Sequence, residues 1–97
     1  MENKPPQEIQ LRARIDDSVA EGIYVNFGSI VHNRSEFILD LGRIVPGKPE
    51  VKILTRVLTT PLHAKQLCRA LAQNIDQYER SYGEIPGVDD VSKRAGF

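Results

Sequence analysis

The sequence predicts an α+β domain: a four-stranded antiparallel meander followed by one C-terminal helix packed on the sheet, in the order ββββα. Two patterns predict it. From residue 8 to residue 59, apolar and polar residues alternate in four runs divided by turn residues, which is the period of a strand. From Ala64 to Tyr82, apolar residues recur every three or four positions, the period of a helix with one apolar side. The 97-residue length adds a limit. A chain of this size buries roughly 60–65% of its unfolded surface, enough for one modest core and not for two.

The first strand, about 8–15, alternates Ile9, Leu11, Ala13 and Ile15 with Gln10, Arg12 and Arg14. The stretch from Asp16-Asp17-Ser18 to Glu21-Gly22 has turn chemistry. The second strand, about 22–32, carries Ile23, Val25, Phe27 and Val31, and Asn33-Arg34-Ser35 ends it. Phe37, Leu39 and Leu41 mark the third, about 36–45, before Pro46-Gly47-Lys48-Pro49. Val51, Ile53 and Val57 mark the fourth, about 50–59. Connections this short favour antiparallel neighbours, since parallel pairing needs a long crossover. If opposed residues have an even sum, as with Val31 opposite Phe37, all odd positions share one nearly apolar face.

The helix is expected to cover that face. Thr60 suits the N-cap and Pro61 the first helical position, where a missing N–H costs nothing. Ala64, Cys68, Leu71, Ile75, Tyr78 and Tyr82 form the stripe, with Leu67 beside it, and Gly83 suits the residue after the helix. On this reading Cys68 is a buried, inert thiol. Asp76 and Arg80 pair across one turn, and Ile85 folds back on the helix end. Residues 1–7 read as a flexible arm, 8–86 as the single domain and 87–97 as a flexible tail, ordered only where a partner receives Phe97.

The mixed face is the even one. It carries Arg12, Arg14, Tyr24, Asn26, Ile30, His32, Ile38, Asp40, Ile44, Lys52, Leu54, Arg56 and Leu58. Apolar residues interleaved with cations suit an interface. The candidate interaction residues are Arg12, Arg14, Tyr24, Asn26, His32, Lys52, Leu54, Arg56 and Leu58. A solvated face with scattered aliphatics is the plain alternative.

Little points to chemistry. Thirteen basic residues balance thirteen acidic ones, so a polycationic tail or an acidic decoy is excluded as the whole activity. A single cysteine excludes an intrachain disulfide. His63 and Cys68 diverge around the helix, and His32 has no second ligand near it, so no metal is expected. Asp40 is expected to form an ion pair with Arg12, Arg14, Lys52 or Arg56. There is no glycine-rich phosphate loop and no nucleophile–base pair, so neither a catalytic residue nor a cofactor is expected. The first ten residues lack the apolar run of a signal peptide, and no apolar stretch approaches membrane length, so the expectation is a cytoplasmic protein without membrane contact.

Several strings carry a resemblance. Tyr24-Val25-Asn26-Phe27, Glu36 to Leu41, Pro46-Gly47, Arg56-Val57 with Thr60 to Leu67, and Ala70 to Glu79 with Gly83 resemble the small prokaryotic family known as domain of unknown function 3467. The resemblance spans about residues 9–85. It implies the domain limits and carries no activity or catalytic residue. The ββββα order is similar in topology alone to the repeat unit of Whirly and Pur-alpha type single-stranded nucleic-acid binders, in which basic and aromatic sheet residues make the contacts.

The expected function is therefore a non-enzymatic interaction module that self-associates, as a dimer in the simplest case, through its sheet face or helix. Single-stranded DNA or RNA binding by the same sheet is the alternative.

Overall fold

A computed structural model of the chain describes residues 9–87. The expected arm and most of the expected tail, Phe97 included, lie outside the described residues. Five elements follow in order: α1 (Asp17–Ala20), β1 (Phe27–His32), β2 (Phe37–Ile44), β3 (Val51–Thr59) and α2 (Pro61–Tyr82). The strands form one antiparallel sheet in the order β1-β2-β3. The class is α+β with a C-terminal helix, as the sequence predicts. The sheet has three strands among the described residues, not four.

The missing strand is the first. Residues 9–15 alternate as a strand does, but among the described residues no neighbouring backbone takes their N–H and C=O groups. The cause is the next segment. Val19 and Ala20 N–H groups both donate to the Asp16 carbonyl at 2.9 Å, closing a helical turn where a hairpin would have returned the chain. Ile9, Leu11 and Ile15 consequently stand exposed.

The β1–β2 turn overturns the parity argument. His32 faces Phe37 and Phe27 faces Gly42, so opposed numbers have an odd sum. Asn33 sets this register by closing the loop. Its Oδ1 accepts from the N–H groups of Ser35 (2.8 Å) and Glu36 (3.0 Å), and its own N–H donates to the Glu36 carbonyl (3.0 Å). Glu36 is thereby drawn into the loop. One residue more in the loop than expected turns every β1 side chain over. Even positions of β1 thus share a face with odd positions of β2.

The β2–β3 turn is built as its composition requires. The Lys48 N–H donates to the Val45 carbonyl at 3.1 Å, with Pro46 leading and Gly47 at φ 84°. A positive φ at that position is glycine's in a type II turn. A bulge lies between Leu41 and Gly42, opposite which Leu54 is the additional residue. Gly42 is required there, because a Cβ on it would lie 2.5 Å from the Lys52 carbonyl oxygen.

Helix α2 begins and ends where its caps dictate. Thr60 Oγ1 accepts from the His63 N–H at 3.1 Å, and Pro61 occupies the first turn. The Gly83 N–H closes on the Glu79 carbonyl at 2.9 Å with φ 96°, which stops the helix. The Ile85 N–H then donates to the Glu79 carboxylate at 2.7 Å, so the chain does return to the last turn. Asp76 and Arg80 pair at 2.8 Å as expected.

The expected packing of this helix on the sheet is not present. Strands pack on strands, and α2 runs off the end of β3 with no more than incidental contact to any of them. Among the described residues only Gly28 and Gly42 are buried. Cys68, expected in a core, is exposed because none of the described residues covers the stripe it belongs to.

Candidate interaction surfaces

Pairing registers assign the sheet side chains to two faces. The first carries Ile30 and His32 from β1, Phe37, Leu39, Leu41 and Arg43 from β2, and Lys52, Val57 and Thr59 from β3. Its two ends differ. At one, the His32 and Phe37 rings stack with centroids 5.2 Å apart and planes inclined at 22°. At the other, the Arg43 guanidinium carbon lies 5.5 Å from the Tyr24 ring centre, within cation–π range. Lys52 is directly opposite Arg43, and Lys48 and Glu50 join them around a shallow open recess.

The second face carries Phe27, Val31, Ile38, Asp40, Ile44, Val51, Ile53, Arg56 and Leu58. Its centre is a fork. Arg56 Nε donates to Asp40 Oδ1 at 2.7 Å and its terminal nitrogen to Oδ2 at 2.8 Å. Both strands hold the pair in register, since Asp40 and Arg56 are cross-strand partners. The Arg56 hydrogen bonds, with its charge, hold the Asp40 carboxyl below the ordinary carboxylate range, and Asp40 raises Arg56 in return. The expected ion pair is therefore present, with Arg56 as the partner.

The predicted interaction residues do not converge on one face. Tyr24, His32 and Lys52 lie on the first face or its margin, Arg56 and Leu58 on the second, and Leu54 at the bulge. Arg12 and Arg14 belong to the N-terminal segment, which has no strand partner among the described residues and in which Arg14 reaches Asp16 at 3.4 Å. Asn26 is occupied by structure: it accepts from the Ile44 N–H at 2.7 Å and donates to the Ile44 carbonyl at 3.2 Å, extending the ladder by a side chain. Sequence reasoning misses Arg43, because it is odd-numbered in a strand whose odd positions read as core. The length of the Asn33 loop, which puts the even side of the preceding strand on the odd face of β2, is the signal that could have set Tyr24 beside it.

The third surface is α2. Leu62, Leu67, Leu71, Ile75, Tyr78 and Tyr82 are all exposed along it, and the Tyr78 and Tyr82 rings meet with centroids 5.0 Å apart. Among the described residues no three His, Cys, Asp or Glu side chains are grouped as metal ligands, and no helix is long and apolar enough to cross a membrane.

Compared with known sequences, residues 1–86 match the model of a family described as "Protein of unknown function (DUF3467)". No curated protein and no solved structure matches the chain.

Proposed function

The chain belongs to the DUF3467 family, proteins of unknown function, and from that premise we propose that it is a non-enzymatic interaction module completed by a second copy of itself. One observation carries this reading. Among the described residues only Gly28 and Gly42 are buried, while Ile9, Leu11 and Ile15 and the Leu62, Leu71, Ile75, Tyr78 and Tyr82 side chains of α2 all stand exposed, so the apolar pattern finds no cover within them. Both sheet edges, the alternating segment of Ile9, Leu11 and Ile15, and the α2 stripe are all open to a partner. Sedimentation equilibrium at micromolar concentration tests the reading. A homo-oligomer supports it; a folded, stable monomer overturns it.

A second reading has its own observation: Tyr24, Arg43, Lys52 and the stacked His32–Phe37 pair put cations and aromatics on one face. That is the composition of a single-strand nucleic-acid platform. Fluorescence anisotropy with mixed-sequence single-stranded DNA and RNA at low salt is expected to give binding that weakens as salt rises. Absence of binding at tens of micromolar protein removes it.

A further inference from the structure

We propose that α2 pairs antiparallel with α2 of a second copy, the two-fold axis passing between the helices at the level of Gln73. The proposal rests on the self-association reading and names its surface. It starts from the spacing of the stripe: Ala64, Cys68, Leu71, Ile75, Tyr78 and Tyr82 are separated by four, three, four, three and four residues. That alternation places them at the a and d positions of a heptad, the seam along which one helix packs on another. The same spacing would serve a helix lying on a sheet, but α2 has no more than incidental contact with the strands, which leaves the seam for another helix.

The order of side-chain sizes then chooses the partner and its direction. Small residues occupy the N-terminal part of the seam, Leu71 and Ile75 the middle, and tyrosines the C-terminal part. Inverted about Gln73, the seam is its own complement. Ala64 meets Tyr82 of the second copy, Cys68 meets Tyr78, and Leu71 meets Ile75, each pair formed twice. A large side chain opposes a small one at both ends, which fills every layer without crowding. A parallel pair would set Ala64 on Ala64 and Tyr82 on Tyr82, leaving a void at one end and a clash at the other.

Charge agrees with size. Lys65 and Glu79 both flank the seam at e positions, which face one another in an antiparallel pair. Inversion about Gln73 brings Lys65 level with Ser81 of the second copy, and Glu79, two residues along on the facing flank, is its e-position neighbour on both sides of the pair. In a parallel pair they would neighbour Thr60 and Asn74. The stripe is uncovered by its own sheet and Tyr78 and Tyr82 are exposed, so the surface is open for this contact.

The native cysteine makes the test direct. In the antiparallel pair the two Cys68 residues are ten residues apart along the axis, about 15 Å at 1.5 Å per residue, too far for a disulfide. The full chain and its Tyr78→Cys variant are treated with diamide, which accepts the two electrons and two protons released by each bond. The variant is expected to form an interchain dimer, its disulfide joining Cys68 of one copy to the thiol introduced at position 78 of the other. The unsubstituted chain and a Cys68→Ala/Tyr78→Cys control are expected not to cross-link. A covalent dimer of the unsubstituted chain would mean parallel pairing and overturn the proposal. A variant that sediments as an oligomer yet does not cross-link overturns it while leaving self-association standing. An unsubstituted chain that sediments as a folded monomer removes both. Should Tyr78→Cys not fold, charge reversal decides: Lys65→Glu is expected to raise the dimer dissociation constant about tenfold, and Lys65→Glu/Glu79→Lys to restore it. No change on Lys65→Glu, or no recovery in the double variant, overturns the proposal.

Discussion

At the scale of single residues, two positions carry more than their exposure suggests. The Arg56 fork holds the Asp40 carboxyl ionised to lower pH than usual, so the pair's contribution to stability is present above the ordinary carboxylate range. It is lost as pH falls through the lowered folded value. Arg56→Gln is therefore expected to move the Asp40 midpoint upward in an NMR pH titration. The stability gap between the two proteins should also narrow on acidification; an unmoved midpoint would remove the fork as its cause. Gly42 is the second position. A methyl group there meets the Lys52 backbone at the bulge, and Gly42→Ala is expected to cost about 1–3 kcal/mol in urea unfolding. An unchanged midpoint would mean the bulge relaxes freely. The Asp40–Arg56 pairing is legible in the sequence as one of four options, because alternation places both on strands without giving their register. The Gly42 bulge is legible only as a glycine in a strand.

At the scale of elements, legibility depends on whether local chemistry decides the outcome. Thr60-Pro61 and Gly83 bound α2 as written, because capping is settled within a few residues. Thr60→Ala is expected to cost about 1 kcal/mol and lower the melting temperature by roughly 4–8 °C, measured by circular dichroism at fixed protein concentration. A shift below about 1 °C would mean that the cap is not limiting. The Pro46-Gly47 turn is equally plain. The Asn33 loop is not: its composition announces a turn, while its length, on which the whole face assignment of β1 depends, follows from hydrogen bonds to Asn33 Oδ1 that composition does not specify. Residues 9–15 depart from expectation for a different reason. Alternation describes side chains, and a strand is made by the backbone beside it. Where that backbone belongs to another chain, no single sequence reading can place it.

At the scale of the whole molecule, the decisive feature is the lack of a private core among the described residues. Apolar stripes mark surfaces that must be covered, and nothing in their spacing says that one chain covers its own. If a second copy supplies the cover, stability depends on mass action. The melting temperature is expected to rise steadily across a hundredfold range of protein concentration in differential scanning calorimetry, as it does for any protein stabilised by association. A melting temperature independent of concentration would return the chain to the class of self-sufficient domains.

The two buried glycines carry a consequence for time as well as for stability. If a second copy supplies the cover, a subunit whose described residues bury Gly28 and Gly42 and no large side chain has little to keep it in shape between partners. Leaving one partner for another would therefore mean passing through the unfolded chain, and the exchange clock would run at the unfolding rate. When nitrogen-15-labelled and unlabelled protein are mixed, hybrid species should appear in native mass spectra only as fast as the chains unfold, and urea should accelerate both together. Partners would then be chosen when the chains fold, and kept.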